Sequence, residues 1–185
     1  MGERCEEEGE IANILIEFYT DLFSSSSPDQ IEEALEATPL VITEEMNDEL
    51  AAPFQRIEVK LAMKQMDPLK ALGSDGMPPI FFQQFWPTVG EDVTEIVLTC
   101  LNFGTIPPSI NRTFITLIPK LKSPVKVYEF RPIALCNTLY KIISKVLANR
   151  LKKILPCVIS KSQTAFQSSK AISDNILVAF ETLHL

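Results

Sequence analysis

The sequence predicts an α+β fold that is predominantly helical, with one short antiparallel β-hairpin. Three observations carry that reading. Apolar residues recur at helical spacing over most of the chain, and two short runs rich in β-branched residues stand eleven residues apart between Thr113 and Leu135. Most of the prolines and glycines fall between these segments rather than inside them, where they punctuate the chain. With 185 residues, 46% hydrophobic and 22% charged, the chain can form one domain, or one and a part, around a substantial core.

Ile11, Leu15, Phe18 and Leu22 define a first helix from about Glu10 to Phe23. Ser24–Ser27 and Pro28 end it and can cap a short acidic helix near residues 30–37. Thr43 opens a weaker helical stretch to Ala51, and Pro53 introduces a helix from about Gln55 to Met66. Val59, Met63 and Met66 mark one face of it, a stripe that reads as core rather than cofactor site. Asp67–Pro79 holds two glycines, three prolines and Asp75, the composition of a structured loop. There the Asp75 carboxylate suits a turn better than catalysis. Phe81, Phe82, Phe85 and Trp86 follow on a short helix stopped by Pro87.

From Glu91 to Phe103, Val93, Ile96, Val97, Cys100 and Leu101 give the strongest amphipathic series, closed by Gly104. Thr113–Ile118 and Phe130–Leu135 are the two strands. Pro132 cannot donate a ladder hydrogen bond and so belongs on an edge. Lys120, Lys122 and Lys126 make the tip of the hairpin basic. A helix from Leu139 to Ile154 turns Leu139, Ile142, Ile143, Val146, Leu147 and Leu151 inward. Lys141, Lys145 and Lys152 line another side of it, with Arg150 and Lys153 beside them. After Pro156 come a polar stretch, Ser160–Ser169, and a last amphipathic helix through Ile172, Ile176, Phe180 and Leu183.

The net charge of −7 conceals two halves of opposite sign. Residues 1–60 carry sixteen acids and three bases, and residues 61–185 eight acids and fourteen bases. Between Arg112 and Lys170 twelve bases face Glu129 alone. Such a window is the footprint of phosphate-backbone contact, or else a solvated basic face. The four cysteines lie far apart and His184 is the only histidine, so zinc sites and Ser-His or Cys-His catalysis lack material. Cys100, Cys136 and Cys157 sit in apolar contexts and read as buried thiols of a reducing, intracellular compartment. No apolar run reaches the ~18 residues of a membrane span, and the acidic start does not resemble a signal or transit peptide.

Five segments then stand in a telling order. They are Lys70–Gly76, Phe114–Lys120, Phe130–Asn137, Tyr140–Leu151 with its Ala148-Asn149-Arg150-Leu151, and Asp174–Leu177. In that order and spacing they resemble the reverse transcriptase, an RNA-directed DNA polymerase, of plant LINE-type (non-LTR) retrotransposons. The resemblance is strong from Phe54 onward and implies two parts. Residues 1–53 would be an acidic helical extension, and residues 54–185 the fingers and start of the palm of a right-hand polymerase. It implies that Lys70, Gly73 and Gly76 lie on a fingertip loop facing the template. It implies further that Lys120 and Arg131 cover the incoming dNTP, where a planar Arg fork and a nearby Lys suit a triphosphate. Lys141, Lys145, Arg150 and Lys170 would contact nucleic acid. RNA template and DNA primer are the implied partners, and the nucleus the implied location.

The departures bear on function. The family loop usually reads Lys-Ala-Pro-Gly-Pro-Asp-Gly, whereas Leu72 and Ser74 replace both prolines here, which should loosen the loop. After Ala165-Phe166 the usual Val-Pro-Gly-Arg is Gln167-Ser168-Ser169-Lys170, a weaker phosphate fork. The family polymerises with two Mg²⁺ ions held by palm carboxylates. No Asp-Asp pair occurs in this chain, so it supplies no catalytic residue, metal ligand or cofactor site. The expectation is a retrotransposon polymerase fragment that is inactive alone. The alternatives are a non-catalytic RNA-binding or interaction module, and a degenerate gene-model product without function.

Overall fold

The computed structural model describes residues 7–27, 31–36, 39–159, 171, 173, 176–177 and 180–181. The last expected helix falls largely outside them, as do Lys161 and Lys170. Among the described residues the fold is mostly helical with a two-stranded antiparallel sheet. The elements form two compact units, residues 1–39 with 113–135 and residues 40–112 with 136–185. These units do not coincide with a division at residue 53, because the hairpin groups with the N-terminal helices.

The first unit holds α1 (Glu8–Phe23), α2 (Ile31–Glu36), β1 (Phe114–Pro119) and β2 (Phe130–Leu135). In α1 the buried residue is Tyr19, whereas Ile11 and Leu22 are exposed. Leu15 and Phe18 of the apolar spacing are half-buried beside Tyr19, so the inward stripe keeps the middle of that spacing and leaves its two ends exposed. Tyr19 packs edge-on against Phe18 and stacks on Phe23. The strands pair with Leu117 opposite Pro132 and Ile118 opposite Arg131. In a two-stranded sheet both strands are edges, so Pro132 costs no second ladder.

The second unit contains α3 (Glu44–Ala51), α4 (Arg56–Lys64), α5 (Pro79–Gln84), α6 (Trp86–Phe103), α7 (Pro108–Asn111) and α8 (Thr138–Val158). The Thr43 hydroxyl caps α3, accepting from Met46 N at 3.2 Å. Val59, Ala62, Met63 and Met66 from α4 and its C-terminal end meet Phe82, Val93, Val97, Cys100, Ile110, Ile142, Ile143 and Val146 in one core. The methionine stripe is thus core, as its spacing indicates.

Three local expectations change. Pro87 does not merely stop the preceding helix; it sits in the first turn of α6, where its missing N–H is not needed, so that helix begins at Trp86. The four-residue α7, with Pro108 at its start, is too short to show periodicity. Helix α8 continues through Pro156 to Val158, beyond the expected end at Ile154. The cysteines also divide: Cys100 is buried, Cys136 half-buried and Cys157 exposed. Burial raises the Cys100 thiol pKa, leaving it a protonated core group. No described helix is long and apolar enough to cross a membrane.

Candidate nucleic-acid interface

The loop between α4 and α5 is built from its own turns. Asp67 Oδ1 accepts from Leu69 N at 2.8 Å, and Asp75 Oδ1 from Met77 N at 3.2 Å. Both carboxylates thus serve turns. A further turn closes with Gly76 N donating to Gly73 O at 3.2 Å. Gly76 has φ +67°, in the left-handed region.

Asn137 holds this loop on the N-terminal end of α8. It is 94% buried, and its Oδ1 accepts from the Ser74 hydroxyl at 2.9 Å and from Asp75 N at 3.3 Å. Its Nδ2 donates to the Ser109 and Ile110 carbonyls at 3.0 and 3.4 Å. One side chain therefore ties the loop and α7 to the start of α8. Next to it, Thr138 Oγ1 donates to Met77 O at 2.7 Å, and Lys141 Nζ to Ala71 O at 2.6 Å. Gly73 fits only as glycine: a Cβ there would lie 2.6 Å from the Asn137 backbone N and Cα and from the Cys136 carbonyl oxygen. The Ser74 hydroxyl, which stands where the family loop has proline, makes a bond to Asn137 that proline cannot.

Sequence reasoning included Asn137 in a motif but gave it no role. It stands at the N-cap position of α8, yet its side chain makes no cap hydrogen bond to that helix. Its amide is spent on two other segments, a use that only the tertiary structure shows.

Arg150 requires a correction. It was expected to contact nucleic acid, but it is 92% buried. Its Nε and Nη2 form a fork on the two Glu58 carboxylate oxygens at 2.7 and 2.8 Å. Nη1 donates to Leu50 O at 2.9 Å and to Ala52 O, and Nη2 to Pro53 O at 3.0 Å. The guanidinium lies 3.5 Å from the Phe54 ring centroid. All five N–H donors of the guanidinium are engaged, so none remains for a phosphate. Glu58 also accepts from Gln55 N at 2.8 Å at the start of α4. The hydrogen bonds from Arg150 hold its carboxyl below the ordinary value of 4.5 against the opposing effect of burial.

The other cations of α8 divide similarly. Lys153 pairs with Glu49 at 2.7 Å, and Lys141 is bonded to the loop. Among the described residues, Lys145 and Lys152 make no such contact. They lie two turns apart on one side of α8, about 10 Å along its axis. With Leu61, Gln65 and Asn149 they line an open groove of about 660 Å³ between α4 and α8. Lys70 is exposed on the loop.

Lys120 and Arg131 belong to the first unit and are both exposed. Lys120 N extends the ladder by donating to Glu129 O at 2.7 Å, and its Nζ donates to Tyr128 O at 2.7 Å. The strand alternation puts Lys120 on the side of Ile118, whose cross-strand partner is Arg131. The two cations therefore share one face of the hairpin. The connecting segment is folded around Glu129, whose Oε2 accepts from Val125 N and Lys126 N at 2.6 and 2.9 Å. Those backbone bonds lower the Glu129 pKa. Lys126 lies over the Tyr128 ring at 5.5 Å, and its pKa is raised, first through its hydrogen bond with Tyr128.

Among the described residues no three His, Cys, Asp or Glu side chains cluster to hold an ion. Asp67 and Asp75, the acids of the loop, are engaged in its turns.

No protein-family model matches the chain. Over nine-tenths of its length, however, it is similar to a protein encoded by a transposon. That relative is the Transposon TX1 uncharacterized 149 kDa protein of Xenopus laevis, 34% identical over 169 residues. The match covers 90% of this chain, which spans 13% of the relative's length.

Proposed function

We propose that this chain is the fingers and start of the palm of a retrotransposon RNA-directed DNA polymerase, of the LINE type its motifs resemble. Its role is to contact template and incoming nucleotide, and no catalytic carboxylate is assigned to these 185 residues, which hold no Asp-Asp pair. The similarity to a transposon-encoded protein supports the element of origin. The observation that carries the reading is the docking of the Lys70–Gly76 loop on α8 through Asn137 and Lys141. It brings together two segments, far apart in sequence, that the resemblance assigns to the same nucleic acid.

In this reading the loop presents Lys70 to the template strand, and Lys145 and Lys152 follow its backbone along α8. Lys120 and Arg131 hold the triphosphate of the incoming dNTP from their shared face of the hairpin, and Arg150 sets the packing of α3, α4 and α8. The chain has no Asp-Asp pair and, among the described residues, no metal-holding cluster. No phosphoryl-transfer step is assigned to it.

Primer extension on an RNA template with Mg²⁺ or Mn²⁺ tests this division of labour. The expected result is no template-dependent incorporation by this chain, although it binds the template–primer. Incorporation would overturn the reading that this chain supplies no catalytic carboxylates. Absence of nucleic-acid binding would overturn the contact role.

A further inference from the structure

The groove between α4 and α8 holds more than two lysines suited to a phosphate backbone. It measures about 660 Å³ and is lined by Lys145, Asn149 and Lys152 of α8 and by Leu61 and the adjoining Gln65 of α4. The α8 residues recur at i, i+4 and i+7 and the other two at i and i+4, so each helix presents one continuous stripe. Glu58, Arg150 and Lys153 also line the groove. Glu58 and Arg150 are spent on each other, and Lys153 on Glu49.

The remaining five residues are free of duties in the fold. Lys145 and Asn149 are half-buried, yet neither side chain has a hydrogen bond or ion pair among the described residues, and the Gln65 amide has none either. Asn137 shows the contrast, since its amide is engaged by the loop and by α7. Leu61 adds an apolar surface, 48% exposed. The groove therefore offers two cations, two uncommitted amides and one aliphatic side chain.

We infer that this groove receives the base of one unpaired nucleotide, while Lys145 and Lys152 hold phosphates on either side of it. The inference rests on the reading that α8 faces nucleic acid, and adds that the site senses a base as well as a backbone. The lysines stand about 10 Å apart along the helix, about three steps of a stacked strand at ~3.4 Å each. A nucleotide swung out between them leaves phosphates within reach of both. An amide carries a donor beside an acceptor, and so does the Watson–Crick edge of every base. Gln65 and Asn149 can therefore meet any base once it is unpaired, with Leu61 against its flat face. The axes of packed helices run about 8–10 Å apart, a gap that admits a base and not a double helix. An acidic polypeptide would satisfy the lysines, but its carboxylates only accept and leave the amide carbonyls unmet.

The test compares, by fluorescence anisotropy at one salt concentration, the affinity of the full chain for two labelled RNA oligomers. One is an oligouridine of about twelve nucleotides; the other is an abasic strand with the same number of phosphates. Their charges are equal, so phosphate contact alone predicts equal affinity. The oligouridine is expected to bind about tenfold more tightly. Gln65→Ala with Asn149→Ala should bring that ratio close to one without lowering the melting temperature, because neither amide is bonded within the fold. Lys145→Gln with Lys152→Gln should instead weaken both oligomers. Polyglutamate of equal charge should compete at least about tenfold less well than unlabelled oligouridine. Equal affinity for the two oligomers, or a ratio that survives the amide substitutions, overturns the inference and leaves the phosphate contact standing. Polyglutamate competing as well as oligouridine overturns it in favour of an acidic polypeptide. Binding of neither oligomer overturns the nucleic-acid reading itself, and the inference with it.

Discussion

Arg150 and Glu58, 92 positions apart in sequence, meet in a two-pronged ion pair at 2.7 and 2.8 Å. Glu58 comes from the acidic first sixty residues and Arg150 from the basic window, so the opposite charges of the two halves neutralise each other within one unit. Lys153 and Glu49 repeat the pattern between α8 and α3. Part of the basic excess thus serves the fold. What remains for a nucleic acid along α8 is narrower than the charge count suggests.

Breaking the pair should therefore destabilise the chain rather than release it from RNA. Arg150→Ala removes a buried cation with five donors and leaves Glu58 and three carbonyls without that partner. The expected loss is about 3–5 kcal/mol in urea denaturation. Arg150→Lys should recover only part of it, because an ammonium cannot reproduce the planar fork. At urea concentrations where Arg150→Lys is still folded, its RNA affinity should match that of the unsubstituted chain.

Stability should also fall in acid. The Glu58 carboxyl titrates below its ordinary 4.5 in the folded state, chiefly because Arg150 donates to it. A depressed folded-state pKa contributes stability that is complete above the unfolded value. That contribution is lost as pH falls through the folded value. The urea midpoint of the native chain should decline below about pH 4.5. Glu58→Gln should have a lower midpoint at neutral pH and a flatter acid limb. Parallel acid limbs for the two proteins would contradict the assignment.

The loop clamp makes a second, separable prediction. Gly73→Ala forces a methyl group against the Asn137 and Cys136 backbone. The loop must move, with an expected cost of about 1–3 kcal/mol. Asn137→Ala removes four side-chain hydrogen bonds and should cost about 2–4 kcal/mol at about 1 kcal/mol each. Hydrogen exchange should show faster exchange at Asp75 and Gly76 in both variants. Gly9→Ala, in α1, where a Cβ meets nothing within 4 Å, serves as the control: it should not destabilise the chain or speed exchange at Asp75 and Gly76.

Much of this architecture was legible in the residues. The Val59, Met63 and Met66 stripe, the Val93–Leu101 series and the strand pair with Pro132 all follow from period and turn chemistry, which act locally. The failures share a cause. Arg150 occupies a position on α8 from which it meets Glu58 and the 50–53 backbone carbonyls, and no local pattern reveals a partner 92 residues away. Asn137 drew no role because only the fold brings the 73–77 loop and α7 to its amide. On α1 Tyr19 is the buried residue, Leu15 and Phe18 are half-buried, and Ile11 and Leu22 stay exposed, because only part of a partly covered helix is shielded. The 67–79 stretch was legible as a structured loop from its glycines and prolines; the allocation of α8's cations to fold or solvent was not.

Salt titration of RNA binding tests the central claim most directly. Affinity for a single-stranded RNA should fall linearly with the logarithm of salt between about 50 and 200 mM. Lys145→Gln with Lys152→Gln should reduce that slope by about 1.4, or about 0.7 for each phosphate no longer neutralised, with no change in the urea midpoint. RNA binding that is absent, indifferent to salt, or unaltered in slope by the double substitution would contradict the account.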